Sequence, residues 1–228
     1  MPLMRLSPVP LKRGSAVLRN SKSRKPSGAP AKRLIVGITG ASGAVYGIRL
    51  LELLKDSEIE THLIISRAAH LTLASETTFK IADVEALADV VHANQDVGAA
   101  CSSGSFQNLG VIIAPCSVKT MAEIATGVTA NLISRAADVA LKERRRVVLL
   151  LRETPLHLGH IKSMAAVTEA GAIVYPPVPA FYTRPTSLED MVDHTLGRVL
   201  DLFGIELNLV RRWTGDIRHP NAAAKAPR

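Results

Sequence analysis

Leu34-Ile35-Val36-Gly37-Ile38-Thr39-Gly40-Ala41-Ser42-Gly43-Ala44-Val45-Tyr46-Gly47 is the stretch that decides the fold. Its first five residues form a short apolar run without polar alternation, the pattern of a strand buried on both faces. Residues 39–43 follow as a tight turn. From 44 to 55 the apolar residues return at helical spacing, at Val45, Ile48, Leu51 and Leu54. Strand, glycine turn and helix in that order open a βαβ unit.

The alternation continues outward from this unit. A second strand is expected at 61–65, a helix at 67–75 and a short helix at 83–88 within a longer connection. Residues 111–114 read as a buried strand stopped by Pro115, and helices follow at 117–126 and 131–143, separated by Gly127. A strand at 147–151 leads to a helix at 161–169 that Gly171 is placed to end, then to a strand at 172–175. The last helix spans 187–203, with Ser187 as N-cap and Asp190 in the position of a weak capping box. Strands alternating with helices predict an α/β fold: a three-layer, doubly wound, mostly parallel sheet in a single Rossmann-like domain. Ligands of such sheets bind outside the carboxyl ends of the strands. No internal repeat is present.

Composition is consistent with one large domain: of 228 residues, 47% are hydrophobic and 21% charged, which excludes collagen-like and disordered classes for the body. Cys101 and Cys116 are too few for a disulfide scaffold and fit a reducing compartment. No apolar run approaches the ~20 residues needed to span a bilayer. The net charge of +8 is unevenly placed. Residues 1–33 hold nine Lys and Arg and no acid, whereas 34–213 carry a net −3. Three segments follow: a disordered basic extension at 1–31, a domain at 32–213 and a tail at 214–228. The extension reads as a solvated tail, a targeting peptide or a nucleic-acid arm. It lacks the interleaved aromatics that stack on bases, so neither nucleic acid nor membrane is expected as a partner. The expected location is cytoplasmic, with mitochondrial import as the alternative.

Candidate site residues lie just after the strands. The turn Gly40-Ala41-Ser42-Gly43 lets a backbone approach a phosphate or a flavin edge, and the following helix N-terminus offers unpaired N–H groups. It is equally a tight structural turn. The spacing is neither G-x-G-x-x-G nor a Walker A loop, nor the G-x-S-x-G of a nucleophile elbow. At the end of the second strand stands Ser66, where a dinucleotide site would place a carboxylate for the ribose. This favours a mononucleotide such as FMN over NAD, unless Ser66 is only an N-cap. Ser117-Val118-Lys119-Thr120 repeats the strand–turn–helix pattern with two hydroxyls. Cys116 beside it reads as a small buried hydrophobe rather than a nucleophile. Arg135 and Lys142 share a helix face and are both able to serve one anion, while Arg144-Arg145-Arg146 decorate the helix C-terminus. Arg152-Glu153 is either a surface ion pair or part of the site. His157 and His160 lack further ligands, and no metal is expected.

Taken together, TGASGAVYG (39–47), THLIIS (61–66), ASET (74–77), APCSVKT (114–120), SRAADVALKERR (134–145), RETPLHLGH (152–160), PPVPAFYTRP (176–185) and RRW (211–213) resemble the UbiX-type flavin prenyltransferases, over about residues 32–213. The resemblance implies a flavodoxin-related fold, a homododecamer, and prenylation of reduced FMN with dimethylallyl phosphate to build a fourth flavin ring. The product serves a UbiD-type decarboxylase, in ubiquinone synthesis or aromatic acid decarboxylation. By position, Gly40, Ala41, Ser42, Ser66, Ser117, Val118, Lys119, Thr120 and Arg135 resemble the FMN contacts. Lys142, Arg152, Tyr182 and Arg198 resemble the allyl phosphate binders. Ser42 and Glu76 resemble the pair that handles protons, Glu153 a second acid, and Trp213, with Tyr182, an aromatic lining.

The chemistry that this implies is coherent. The cations would stabilise the departing phosphate in place of a metal, an aromatic face would stabilise an allyl cation, and Glu76 would supply the basicity that Ser42 lacks. Three other readings compete. An FMN-dependent decarboxylase would carry a catalytic histidine after the second strand, where Glu76 stands instead. A non-catalytic flavin carrier would not need Glu76, Lys142 or Trp213. A hydrolase would need a histidine converging on Ser42.

Overall fold

The apolar runs of the sequence become buried strands of a parallel sheet because helices cover both of its faces. The structure, a computed structural model, describes residues 32–210 and Arg212; the basic extension 1–31, Trp213 and the tail 214–228 lie outside the described residues. In chain order the elements are β1 (Lys32–Ile38), α1 (Ala44–Leu54), β2 (Ile59–Ile65), α2 (Arg67–Glu76), α3 (Ile81–Glu85), β3 (Val90–Ala93), β4 (Gly110–Cys116), α4 (Val118–Thr126), α5 (Leu132–Lys142), β5 (Arg146–Leu151), α6 (Leu158–Glu169), β6 (Ile173–Val174) and α7 (Leu188–Asp201). The strand order is β3-β2-β1-β4-β5-β6 and every pairing is parallel. This is the Rossmann order, and its direction of winding reverses between β1 and β4. A ligand crevice is therefore expected at the carboxyl ends of those two strands.

Alternate residues of β1 face opposite layers. A side chain at Gly37 would meet Ile133 of α5, whereas Ile38 lies against Gly47 of α1. On the α5 side, Ile35, Val111, Ile113, Val147 and Leu149 form one cluster with Met121, Leu132, Ala136 and Val167 from α4, α5 and α6. Leu34, Val36, Ile38, Ile112, Val148 and Leu150 are also fully buried, so both faces are covered. Each such side chain contributes about 1.5–3 kcal/mol of burial.

Three local features depart from the sequence expectations. β3 is a short edge strand, half-buried in alternation, within the connection where only a helix was expected. Pro115 does not stop β4. The strand runs through it to Cys116, and the register against β5 shifts between Ile113 and Cys116, a bulge that accommodates a residue without an N–H. Nor do the three arginines all decorate the end of α5. Arg145 turns away and donates to the carbonyls of Gly104 and Phe106 at 2.7 and 2.6 Å, pinning the loop before β4.

The chain forms two compact units, the first ending at Pro179 and holding the whole sheet, the second beginning at Ala180 and holding α7. Within the second unit Ser187 caps α7 by accepting from the Asp190 amide at 3.0 Å. The Asp190 carboxylate reaches back to the amide and hydroxyl of Thr186 at 2.8 and 2.7 Å, one residue further than a capping box would place it. Those bonds hold its pKa below the ordinary value.

Gly47 lets α1 approach the sheet closely: a Cβ there would collide with the Ala114 carbonyl oxygen and with the Ile38 side chain. Gly47→Ala should therefore lower stability by about 1–3 kcal/mol, as overpacking does, read as a lower urea midpoint at unchanged slope. A variant as stable as the parent would show that α1 is free to lift.

Candidate active site

Hydrogen bonds join the loops at the carboxyl edge of the sheet to one another. The Ser66 amide donates to the Ile38 carbonyl at 3.0 Å, tying the end of β2 to β1. The Arg152 amide donates to the Cys116 carbonyl at 3.1 Å, tying β5 to β4. Between β1 and β4 the tie is Thr39. Its hydroxyl donates to the Pro115 carbonyl at 2.7 Å and accepts from the Ser117 amide at 2.8 Å.

Glu76 enters this edge as the last residue of α2. Its carboxylate accepts from the Gly43 and Ala44 amides at 2.9 and 3.0 Å. These are first-turn amides of α1, which the sequence reading leaves open to an anion. The structure corrects that: the anion at this helix end is the protein's own carboxylate, favourably placed against the helix dipole. Gly43 has φ of 101°, a left-handed conformation that favours glycine. Ser42, half-buried, immediately precedes Gly43, so the residue that accepts from the Gly43 amide is the Glu76 that the resemblance pairs with Ser42. Among the described residues no histidine is hydrogen-bonded to Ser42, which removes the basis of the hydrolase reading.

The helix ends at α2 and α4 are different. Ser66 accepts from the Ala69 amide at 3.2 Å, and is thus an N-cap. Ser117 accepts from the Thr120 amide at 3.3 Å and donates to the Thr120 hydroxyl at 3.2 Å. The first-turn amides of Val118 and Lys119 have no acceptor among the described residues. Hydroxyls at Ser117 and Thr120 beside two free amides are a donor set for a phosphate. The Lys119 side chain turns outward to pair with Glu123 and is 75% exposed, so the part of Lys119 at the edge is its backbone. Cys116 is completely buried, and burial pushes its thiol far above the ordinary value, so it packs as a hydrophobe. Burial likewise raises the pKa of Tyr46 on α1.

The cations divide. Arg135, in the first half of α5, pairs with Asp138 at 2.8 Å. Lys142 is seven residues on, about 10 Å along the helix axis, where it pairs with Glu143 beside the Gly104 loop, at the amino edge of the sheet. Arg135 and Lys142, expected to share a helix face, each pair here with a carboxylate of their own. Arg152 and Glu153 form no ion pair with each other; Arg152 is exposed, while Glu153 accepts from the Thr154 amide at 3.1 Å. His157 caps α6 through Nδ1 at 3.0 Å from the Gly159 amide and stacks on His160, with ring centroids 3.6 Å apart. No metal-binding cluster is present among the described residues. In the second unit, Tyr182 is exposed, 3.4 Å from His194 Nε2, and Arg198 pairs with Asp201 at 3.0 Å. Burial, then Arg198, lowers the pKa of His194. Trp213 lies outside the described residues.

Sequence reading missed two residues at this edge. Thr39 passes for part of a turn, its partners being 76 and 78 residues away. Asn94 follows the unforeseen β3 and docks the start of α5, its carbonyl accepting from the Leu132 amide at 2.8 Å and its side chain from the Ile133 amide at 3.2 Å. The signal for Asn94 is a capping-type residue at a strand end.

A family profile described as Flavoprotein matches residues 22–200. The flavin prenyltransferase UbiX of Escherichia coli K12 is 57% identical over 187 residues, 81% of this chain and 99% of its own. The chain belongs to the UbiX-type flavin prenyltransferases. A solved UbiX in complex with FMN and dimethylallyl pyrophosphate matches this fold with a TM-score of 0.80 at 49% identity, over 82% of this chain and 99% of its own. A dodecameric FMN-dependent UbiX-like decarboxylase from Escherichia coli O157:H7 matches with a TM-score of 0.78 at 47% identity, over 80% and 100%. For a UbiX-type flavin prenyltransferase the edge fits its flavin: a phosphate-type donor set at α4, a glycine turn after β1 and a carboxylate beside Ser42.

Glu76→Gln keeps an acceptor for the Gly43 and Ala44 amides but removes the ionisable carboxyl that the resemblance assigns to proton transfer. It should retain FMN affinity within about threefold while slowing product formation roughly 100-fold or more, measured by flavin titration and single-turnover assay. Unchanged turnover would take Glu76 out of the proton transfers.

Proposed function

We propose that the protein transfers the dimethylallyl group of dimethylallyl phosphate to reduced FMN, giving prenylated FMN for a UbiD-type decarboxylase. The observation that carries the reading is the Glu76 carboxylate, brought from the end of α2 to the amides that follow Ser42. A flavin carrier has no need of a base there. Ser117, Val118, Lys119 and Thr120, with Ser66, would hold the FMN phosphate through amides and hydroxyls. Gly40, Ala41 and Ser42 would line the flavin, and Arg135 would add a cation. When bound, reduced FMN supplies the nucleophilic nitrogen and a π surface.

The chain's own groups then have two tasks. The first is to accept the phosphate as it departs with the electron pair of the broken carbon–oxygen bond. Arg152 is suited to this because it is exposed and forms no ion pair among the described residues. Lys142 and Arg198 would exchange their carboxylate partners for the phosphate dianion, and Tyr182 would donate to it. Because Lys142 stands at the amino edge, it would reach the site of a neighbouring copy in a homo-oligomer, of which the dodecamer is the reading we favour. The second task is proton transfer: Ser42 and Glu76 would remove and return the proton that closing the second bond requires, with Glu153 as a further acid at the phosphate end. Trp213 and Tyr182 would face the allyl group and stabilise its positive charge. Both cysteines are free thiols, in keeping with the cytoplasmic location that we infer.

The test is anaerobic incubation with reduced FMN and dimethylallyl phosphate, followed by mass spectrometry of the extracted flavin. A flavin heavier by one five-carbon prenyl unit is expected. Unmodified FMN from protein that bound both ligands would favour the decarboxylase reading that one solved relative's name carries, or the carrier. Product formed only from the diphosphate would correct the substrate. In the same assay Lys142→Ala should raise the KM for dimethylallyl phosphate about tenfold or more and leave FMN affinity near that of the parent. Equal loss of both would make Lys142 structural.

A further inference from the structure

We propose that Thr39 is a positioning residue for the FMN phosphate: its hydroxyl sets the place and aim of the α4 N-terminus relative to the Gly40–Ser42 turn. The inference rests on the FMN reading given above. It starts from a break in the sheet. β1 and β4 pair in register through Gly37 and Ile113, and the described pairing stops there. Pro115 then bulges out of register and has no N–H to offer. Beyond that point the ladder no longer fixes the two strand ends, although both loops of the crevice begin there.

Thr39 restores the connection. Its amide donates to the Pro115 carbonyl at 3.2 Å, and its hydroxyl donates to the same oxygen at 2.7 Å. The hydroxyl then accepts from the Ser117 amide at 2.8 Å. The side chain is 1% exposed, so water does not substitute for it readily. The hydroxyl thus donates its one hydrogen bond to one side of the bulge and accepts a hydrogen bond from the other. Ser117 is the N-cap of α4, so this bond orients the turn that presents the Val118 and Lys119 amides. The β-branch of Thr39 limits its rotamers and narrows the placement further. Thr39 acts through Ser117, not on the substrate, and is not a catalytic residue.

The experiment measures FMN affinity by flavin fluorescence for the full chain, Thr39→Val and Thr39→Ser. Thermal midpoint, kcat at saturating FMN and KM for dimethylallyl phosphate are recorded for each. Thr39→Val has nearly the shape of threonine but leaves the Ser117 amide without its acceptor. It should weaken FMN binding about tenfold or more, as loss of a buried hydrogen-bond partner does. Thr39→Ser should return affinity to within about threefold of the parent, and kcat at saturating FMN and KM for the allyl phosphate should stay within the same margin in both variants. If Thr39→Val proves insoluble, Thr39→Ala, which adds no bulk, replaces it under the same criteria. Parent-like FMN affinity in the valine or alanine variant overturns the proposal. So does equal loss in the serine variant, or loss of kcat and thermal midpoint in proportion to FMN affinity, which marks a general structural role. Failure of the parent chain itself to bind FMN instead overturns the FMN reading, and the two failures are thereby distinguished.

Discussion

A parallel sheet stops pairing at its carboxyl edge, and the groups left over there must find partners in the loops that leave it. In this protein those partners lie in neighbouring loops. Thr39 bridges Pro115 and Ser117, the Ser66 amide reaches Ile38, and the Arg152 amide reaches Cys116. Each bond spends a backbone group that would otherwise be an orphan at the rim of a buried core. The result is one surface in which the ends of β1, β2, β4 and β5 hold fixed relative positions. A phosphate held by two of these loops meets donors already in place, so that rigidity bears on flavin affinity as well as on stability.

The electrostatics of the edge follow from the same accounting. Helices α1, α2 and α4 begin there, each in the connection that leaves a strand, and each N-terminus offers positive potential. Glu76 already occupies α1, with hydrogen bonds at 2.9 and 3.0 Å. A phosphate is thereby directed away from α1 and toward α4, where the amides of Val118 and Lys119 remain free among the described residues. One carboxylate therefore does two things. It closes the α1 amides to a competing anion, and it is the carboxylate that we propose as the base of the prenyl transfer.

Much of this fold was legible because its signals are local. The runs at 34–38 and 147–151 and the helical spacing of Ile48, Leu51 and Leu54 arise from burial on one or both faces, which leaves a periodic mark. Ser66, Ser117 and Ser187 are N-caps, and capping is settled within three residues. What was not legible depends on long-range partners. β3 is a four-residue edge strand, Val90-Val91-His92-Ala93, too short for its alternation to stand out. Pro115 is a strong local stop signal, and only the register of β5 reveals that the strand continues as a bulge. The carbonyls that hold Arg145 lie 39 and 41 residues away, so a helix-end role was the natural local expectation. Within the candidate site, Glu76, Ser117 and Arg135 were expected from family resemblance. It did not reveal that Glu76 closes the α1 amides, because that is a statement about contacts rather than residue types.

The placement of Lys142 connects the site to assembly. α5 enters at the carboxyl edge, docked on Asn94, and leaves at the amino edge, where Arg145 is pinned to the Gly104 loop. Over the seven residues from Arg135 to Lys142 the helix advances about 10 Å, which leaves Lys142 beside Gly104 at the amino edge, away from the Ser117 turn at the carboxyl edge. Either Lys142 has no part in phosphate binding, or the phosphate site is completed by a second copy of the chain. The sheet's own geometry thus makes self-association a requirement of the prenyl transfer we propose when Lys142 takes part. Dilution to monomers would then abolish turnover.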